Sequence, residues 1–334
     1  MVLLGACAHS DPFTTSSTGN GNTGPFADGP VVQLTFNPDQ DYWPMWTQDG
    51  AGVLYSYVPP GRSNLGRCLG ILPAGGGVRI WSLCDDRVTM IDSTRSFAAF
   101  SLDSSGRLLY LEVVGTLRGG SPSGTVLWLA DTTAPFQRRA IGSFPRPIGD
   151  SVIDWLADIR WTGQNEFVAL GLRFGLFPHG AVLDTVFLGR GVIKGTIGNG
   201  EAILTLVKGT ESAVSYALAN QGRTIVFGTN GQPLVPTPPP PLQSVPVEGG
   251  VPVVIAARPG LGIQGVSCAD TVCVAASDGQ LLWRVSLNSG ALEMVASNLS
   301  GLYTPMVRPG SSDVVVQSGG SVGHLGLTEV APQF

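Results

Sequence analysis

Charge is scarce in this chain: of 334 residues only 13% are Asp, Glu, Lys or Arg, the net formal charge is -5, and lysine occurs only at Lys194 and Lys208. A surface without a basic stripe cannot neutralise a phosphate backbone, so nucleic acid is excluded as a partner and an anionic membrane surface is disfavoured. Histidine is equally sparse. His9, His179 and His324 are too isolated in the sequence for a Ser-His-Asp arrangement or a histidine-rich metal site. Neither lysine lies in G-x-x-x-x-G-K-[ST], there is no G-x-S-x-G elbow and no D-x-[DN]-x-[DN]-G loop. A P-loop, an α/β-hydrolase and an EF-hand are therefore not expected, and the sequence names no cofactor and no metal. No run of some 18 apolar residues is present either, so no helix is expected to span a bilayer.

What is abundant is apolar residues, at 43%, with 46 glycines and 25 prolines. That composition builds a core and punctuates it with tight turns, which favours many short strands over helices. Such a length demands two domains or one large closed architecture.

The chain opens "MVLLGACAHS". Leu4-Gly5-Ala6-Cys7 resembles the bacterial lipobox, in which the cysteine after the small residues receives a diacylglycerol. On that resemblance residues 1–6 are the remnant of a signal peptide, although no basic segment precedes them, and Cys7 is the lipidated residue. Residues 7–30, rich in Ser, Thr, Gly and Asn, have the composition of a flexible tether. Ala8 follows the cysteine, which by the same resemblance implies an outer-membrane lipoprotein of the cell envelope facing the periplasm or the surface, and a membrane contact through the lipid alone.

Four further cysteines agree with an envelope address. Cys68 and Cys84 flank "LPAGGG", and Cys268 and Cys273 bracket "ADTV", so each pair is placed for a cross-strand disulfide. A four-cysteine zinc site lacks its C-x₂-C spacing, and reduced buried thiols are the plainer alternative.

A repeat organises the rest. "PMWTQDGAGVLYS" recurs as "AAFSLDSSGRLLYLE", "IRWTGQNEFVALG", "VSYALANQGRTIVFG", "QGVSCADTVCVAAS" and "PMVRPGSSDVVVQS". The anchors are Trp46, Phe100, Trp161, Tyr216, Val266 and Val307, separated by 54, 61, 55, 50 and 41 residues. Each copy is an apolar run, a polar turn and a second apolar run, which is a hairpin signal, and two more strands follow in most copies. Four antiparallel strands repeated six times predict an all-β, six-bladed β-propeller spanning residues 31–334, with blades starting near residues 41, 95, 156, 211, 261 and 302. The last copy has room for three strands, so "VVQLTF" from residue 31 is expected to complete it and close the ring.

The stretch Asp41-Tyr42-Trp43-Pro44-Met45-Trp46-Thr47-Gln48-Asp49-Gly50 resembles the repeat of TolB-type periplasmic propeller proteins, Asp-x-x-Pro-x-Trp-Ser-Pro-Asp-Gly. The resemblance covers the propeller only. It implies a monomeric, non-catalytic binding module whose face engages an envelope protein, a peptide or a glycan. The alternative is a propeller enzyme, a lyase or hydrolase acting on a sugar or lactone at the channel mouth.

The innermost strands line the central channel, so projecting the first blade onto the others gives the rim: Asp41, Trp43, Arg95, Asp158, Arg160, Glu211, Tyr303 and Thr304. Asp158 with Glu211 is the pair to examine for general acid and base. Asp at a strand start also bonds nearby backbone N–H groups, which needs no ligand. "GLGIQG" at Gly260 to Gly265 fits G-x-G-x-x-G but precedes a strand, so an inter-blade turn is expected. "PTPPPP" at 236–241 is expected to be a stiff polyproline loop.

Overall fold

The computed structural model describes residues 31–33, 41–47, 52–57, 68–73, 81–82, 96–113, 124–131, 137–179, 182–229, 242–256, 263–277, 281–296, 305–308, 314–320 and 324–330. Cys7, Cys84, Arg95, Tyr303, Thr304 and the 236–241 proline run lie outside them.

Strand β1 (Val31–Gln33) comes first. Blade 1 follows as β2 (Asp41–Trp46), β3 (Gly52–Tyr57), β4 (Cys68–Pro73) and β5 (Trp81–Ser82). Blade 2 is β6 (Ser96–Leu102), β7 (Arg107–Val113), β8 (Thr125–Asp131) and β9 (Gln137–Phe144). Blade 3 has five strands, β10 (Arg146–Ile148), β11 (Ser151–Trp161), β12 (Glu166–His179), β13 (Val182–Gly198) and β14 (Glu201–Leu206). Blade 4 is β15 (Ala213–Ala219), β16 (Thr224–Thr229), β17 (Leu242–Pro246) and β18 (Val253–Ala256). Blade 5 is β19 (Ile263–Ala269), β20 (Val272–Ser277), β21 (Leu281–Ser286) and β22 (Leu292–Ala296). Blade 6 ends the chain with β23 (Met306–Val307), β24 (Val314–Gly320) and β25 (His324–Val330).

All pairings are antiparallel, and the strands of each sheet follow chain order except that β1 is added to the last sheet beyond β25. The extra strand of blade 3 departs from the four expected: β10 hairpins onto the lengthened start of β11, pairing Arg146 with Ile153 and Ile148 with Ser151. β1 pairs with β25, Val31 opposite Val330 and Gln33 opposite Thr328, so the N-terminal strand completes the last blade. The indole N–H of Trp46 then donates to the Met306 carbonyl at 3.0 Å, joining blade 1 to blade 6. The sheets stand in a closed ring, the arrangement of a β-propeller.

The six anchors explain how the ring packs. Trp46, Phe100, Trp161, Tyr216, Val266 and Val307 are all buried between neighbouring sheets. Three of them also use a polar handle. Trp161 donates its indole N–H to the Ser101 carbonyl of blade 2 at 3.1 Å, and Tyr216 bonds the Val168 carbonyl of blade 3 at 3.0 Å, as Trp46 bonds blade 6. A buried aromatic N–H or O–H left unpaired would destabilise the interface, so each aromatic fixes its height against the preceding blade. Arg107 over Trp161 and Arg308 over Trp46, at 4.9 and 5.1 Å from the ring centroids, cover two of these rings. The residue after the anchor contributes too: Ser101 and Ser267 accept the backbone N–H of Trp161 and Val307 in the next blade.

In blade 5, Cys268 lies directly opposite Cys273 in the β19–β20 ladder, with their sulfurs 2.01 Å apart. Gly260 to Gly265 runs into β19, and no helix follows it among the described residues. Among the described residues no helix is long and apolar enough to cross a membrane.

Candidate functional site

Aligning the sequence on the six anchors compares equivalent positions of the first strands. The position just before the anchor is Met45, Ala99, Arg160, Ser215, Gly265 and Met306. The position three before it is Trp43, Phe97, Asp158, Ala213, Ile263 and Thr304. Only blade 3 carries charge at both. The position just before the anchor reaches the centre of the ring, because Arg160 Nη2 of blade 3 meets Met306 Sδ of the opposite blade 6 at 3.5 Å. Ala, Ser and Gly at three of the other positions leave that centre to the longer side chains.

A bulge recurs at this height. The ladder between the first two strands slips between Tyr42 and Met45, Phe97 and Ala99, Ala157 and Arg160, Ala213 and Ser215, and Ile263 and Gly265. Such a bulge turns the strand and re-aims the next side chain. In blade 3 it leaves Asp158 with φ 47°, a left-handed conformation that Asp tolerates better than most residues. The hydroxyl of Tyr216 lies against both the Asp158 and the Val168 carbonyls, which ties the bulged backbone to blade 4.

The two side chains form a bidentate ion pair. Arg160 Nε donates to Asp158 Oδ1 at 3.0 Å and Nη2 to Oδ2 at 2.9 Å, and the guanidinium stacks over the Tyr216 ring at 5.1 Å. The Arg160 side chain is 13% exposed and that of Asp158 is 28% exposed, so the pair is largely desolvated yet open at one end. Arg160 Nη1 has no hydrogen-bond partner among the described residues, which leaves its N–H groups to a ligand. Burial works against the charge on Arg160, but the Asp158 carboxylate and Tyr216 outweigh it and hold the guanidinium more firmly protonated than usual. Burial first, and then the Asp158 carboxylate, push the Tyr216 phenol well above its ordinary value against the pull of Arg160, so it remains a neutral hydrogen-bond donor.

The expected rim is therefore divided. Asp158 and Arg160 come together at the channel. The Glu211 carboxylate accepts the Gly209 N–H at 2.9 Å within its own loop, and among the described residues no hydrogen bond joins it to Asp158 or Arg160. Asp41 and Trp43 lie in β2, and Arg95, Tyr303 and Thr304 fall outside the described residues. Cys68 begins β4, while its expected partner Cys84 is outside them. Among the described residues no three His, Cys, Asp or Glu are grouped to hold a metal ion.

No protein-family model matches the chain, and no curated protein matches it by sequence. Solved structures do. A gluconolactonase from Xanthomonas campestris superposes with TM-score 0.60 at 14% identity, over 92% of this chain and 91% of that one. A luciferin-regenerating enzyme gives 0.53 at 10%, over 91% and 95%. TolB from Acinetobacter baumannii gives 0.55 at 10%, over 85% of this chain and 64% of TolB. At these identities the likeness is one of fold. It supports the propeller and corrects the expectation of a non-catalytic module: the gluconolactonase superposes with a higher TM-score than TolB, and both enzymes are covered over nearly their whole length where TolB is covered over 64%, so TolB's fold no longer argues that this chain lacks an activity.

Proposed function

We propose that this protein is a propeller hydrolase that opens a lactone, or a comparable neutral sugar ester, at the mouth of its channel. The observation that carries the reading is the Asp158–Arg160 pair, the single place in the two axial rings of side chains where charges stand. Because the two charges cancel, the site favours a neutral polar substrate over a free anion. The fold it shares with a gluconolactonase is in keeping with that class.

The pair divides the chemistry. Each Asp158 oxygen accepts one N–H from Arg160 and keeps a further lone pair for a water. Asp158 takes a proton from that water as its oxygen forms a bond to the lactone carbonyl carbon. The negative charge that develops on the carbonyl oxygen meets the Nη1 N–H groups of Arg160. The ring C–O bond then breaks, the departing oxygen recovers the proton from Asp158, and the product is the open hydroxy acid. No step requires a group outside these residues and water. The cellular address that fits this enzyme is the envelope, a reading supported by the Leu4 to Cys7 motif and the polar tether behind it.

Acid release from glucono-1,5-lactone and γ-butyrolactone, followed with a pH indicator and corrected for spontaneous opening, tests the proposal. Turnover by the native protein should fall about 10²-fold or more in Asp158→Asn. Equal rates in the two proteins would remove the catalytic role.

A further inference from the structure

Blade 3 is built differently above the mouth. β15 and β19 begin three residues before their anchors, at Ala213 and Ile263, whereas β11 begins ten before Trp161, at Ser151. Asp158 stands at the height where β15 and β19 start, and β2 and β6 start only one or two residues earlier, so most of Ser151 to Ala157 rises above the rim. β12 continues with them, Gly175 opposite Ser151, and beyond that pair β12 and β13 run on as a two-stranded ribbon to His179 opposite Val182. At about 3.3 Å per residue Ser151 to Ala157 lift roughly 20 Å clear of the ion pair, and the ribbon continues beyond them.

This arm is held against the mouth. Arg173 Nη1 donates to the Glu211 carbonyl at 3.4 Å and Arg190 Nη1 to the Val214 carbonyl at 3.3 Å, both at the entrance of the blade 4 inner strand. Gly189, at φ 103°, lies close enough that a Cβ would sit 3.7 Å from the Glu211 oxygen. The arm nevertheless exposes apolar side chains: on one face Leu176 is 44% exposed and Phe187 56%, with the Phe187 ring 5.4 Å from that of Phe174, while Val186, 48% exposed, projects from the other face and Leu188, 39% exposed, sits at the bulge beside Gly189. The other large exposed apolar residues are distributed over the outer parts of blades 3, 4 and 5, at Ile203, Val251, Val253, Val254 and Met294. Among the described residues, only the arm places such a surface above the charged pair, on the same sheet.

We propose that the arm is an apolar subsite that seats the hydrocarbon tail of the substrate, whose polar head lies at Asp158 and Arg160. Resting on the hydrolase reading, this assigns the substrate class as amphiphilic: a neutral lactone or ester bearing an alkyl chain. The occupant follows from continuity, because a tail leaving the head along β11 has the arm as its wall.

The test reads binding separately from turnover. Affinities of γ-butyrolactone and γ-dodecalactone for Asp158→Asn are measured by ligand-observed NMR, with the arm intact and with residues 174–188 replaced by Asn-Gly, which joins Arg173 to Gly189 where they already pair. With the arm, the long lactone should bind at least about tenfold tighter than the short one, less than its added methylenes could supply if all were buried. Without the arm the difference should vanish while γ-butyrolactone is unaffected. Leu176→Ser with Phe187→Ser provides the same comparison in a chain of unchanged length, should the shortened protein not fold. Equal preference for the long lactone with and without the arm overturns the inference, and so does arm-dependent self-association in place of ligand binding. If neither lactone is turned over by the native protein while tail binding still depends on the arm, the hydrolase proposal fails and the subsite stands.

Discussion

Blades 3 and 5 are two solutions to the same repeat. Blade 5 is close to the minimum, four strands joined by short turns, with Ile263 and Gly265 where blade 3 has Asp158 and Arg160. Ala217 and Val226 of blade 4 pack with Val266, Ala275, Trp283 and Val285 of blade 5, which among the described residues buries no charged group there, and its first hairpin carries the Cys268–Cys273 pair. Blade 3 adds a strand, lengthens three others and buries a charged pair at the axis. A repeat needs neither feature to close, because blade 5 closes without them. What distinguishes blade 3 is therefore the part of the molecule to which an activity can be assigned, and the rest is the frame that holds it.

Breaking the axial pair should have the largest effect on that contrast. Arg160→Met would leave the Asp158 carboxylate facing Tyr216 and Met306 without its bidentate partner, and removal of one member of a desolvated pair costs about 3 kcal/mol or more. Asp158→Asn combined with Arg160→Met makes the axis of blade 3 as uncharged as that of blade 5 and should recover much of the loss. Urea unfolding of the two single variants and the double variant measures the coupling. If the losses simply add, the two side chains do not act as a unit and the contrast with blade 5 at this height is one of side-chain size.

The staple of blade 5 comes next. Cys268 and Cys273 are five residues apart, so a bond between them closes a very short loop, and the chain-entropy argument limits its contribution to about 2 kcal/mol. Cys268→Ser with Cys273→Ser should lower the unfolding midpoint by less than Arg160→Met does. A reductant should reproduce that drop in the native protein and leave the double variant unchanged. A variant that unfolds as easily as Arg160→Met would show that blade 5 depends on its covalent link as heavily as blade 3 depends on its ion pair.

How much of this could be read from the chain follows from what repeats. The anchors are legible because blade packing demands a large apolar group at one register, and the closing strand because the last copy ran short of residues. The use of Trp46, Trp161 and Tyr216 as donors was hidden, since a scan for apolar anchors treats an indole and a valine alike. The Asp158–Arg160 pair was half visible. Both residues are found by projecting the first blade, but the projection does not show that Asp158 bonds Arg160 while Glu211 accepts a backbone N–H of its own loop. Aligning on the anchors would have separated them, because Glu211 lies five residues before Tyr216 and Asp158 three before Trp161. The arm left no trace in the spacing. Trp161 and Tyr216 are 55 residues apart, within the range of the other intervals, because β12 and β13 take into long strands the residues that blades 2 and 4 use between shorter ones.

The smallest expected effect concerns Ser215, which occupies in blade 4 the position of Arg160 in blade 3 and Gly265 in blade 5. It is 8% exposed, and its hydroxyl is buried without a hydrogen-bond partner. A buried hydroxyl with no partner keeps its desolvation penalty and returns nothing for it, so Ser215→Ala should be neutral or stabilising by up to about 1 kcal/mol. The substitution removes one oxygen from beside the axis and adds no bulk, so it leaves the room that Arg160 needs to reach Met306. Stability should therefore hold or rise while the Asp158 to Arg160 coupling energy stays the same. A loss of more than about 1 kcal/mol would mean that the hydroxyl is bonded in solution, through water, to the channel. The axial polar group of blade 4 would then belong with the pair of blade 3, and the division between a working blade and its frame would have to be redrawn to include both.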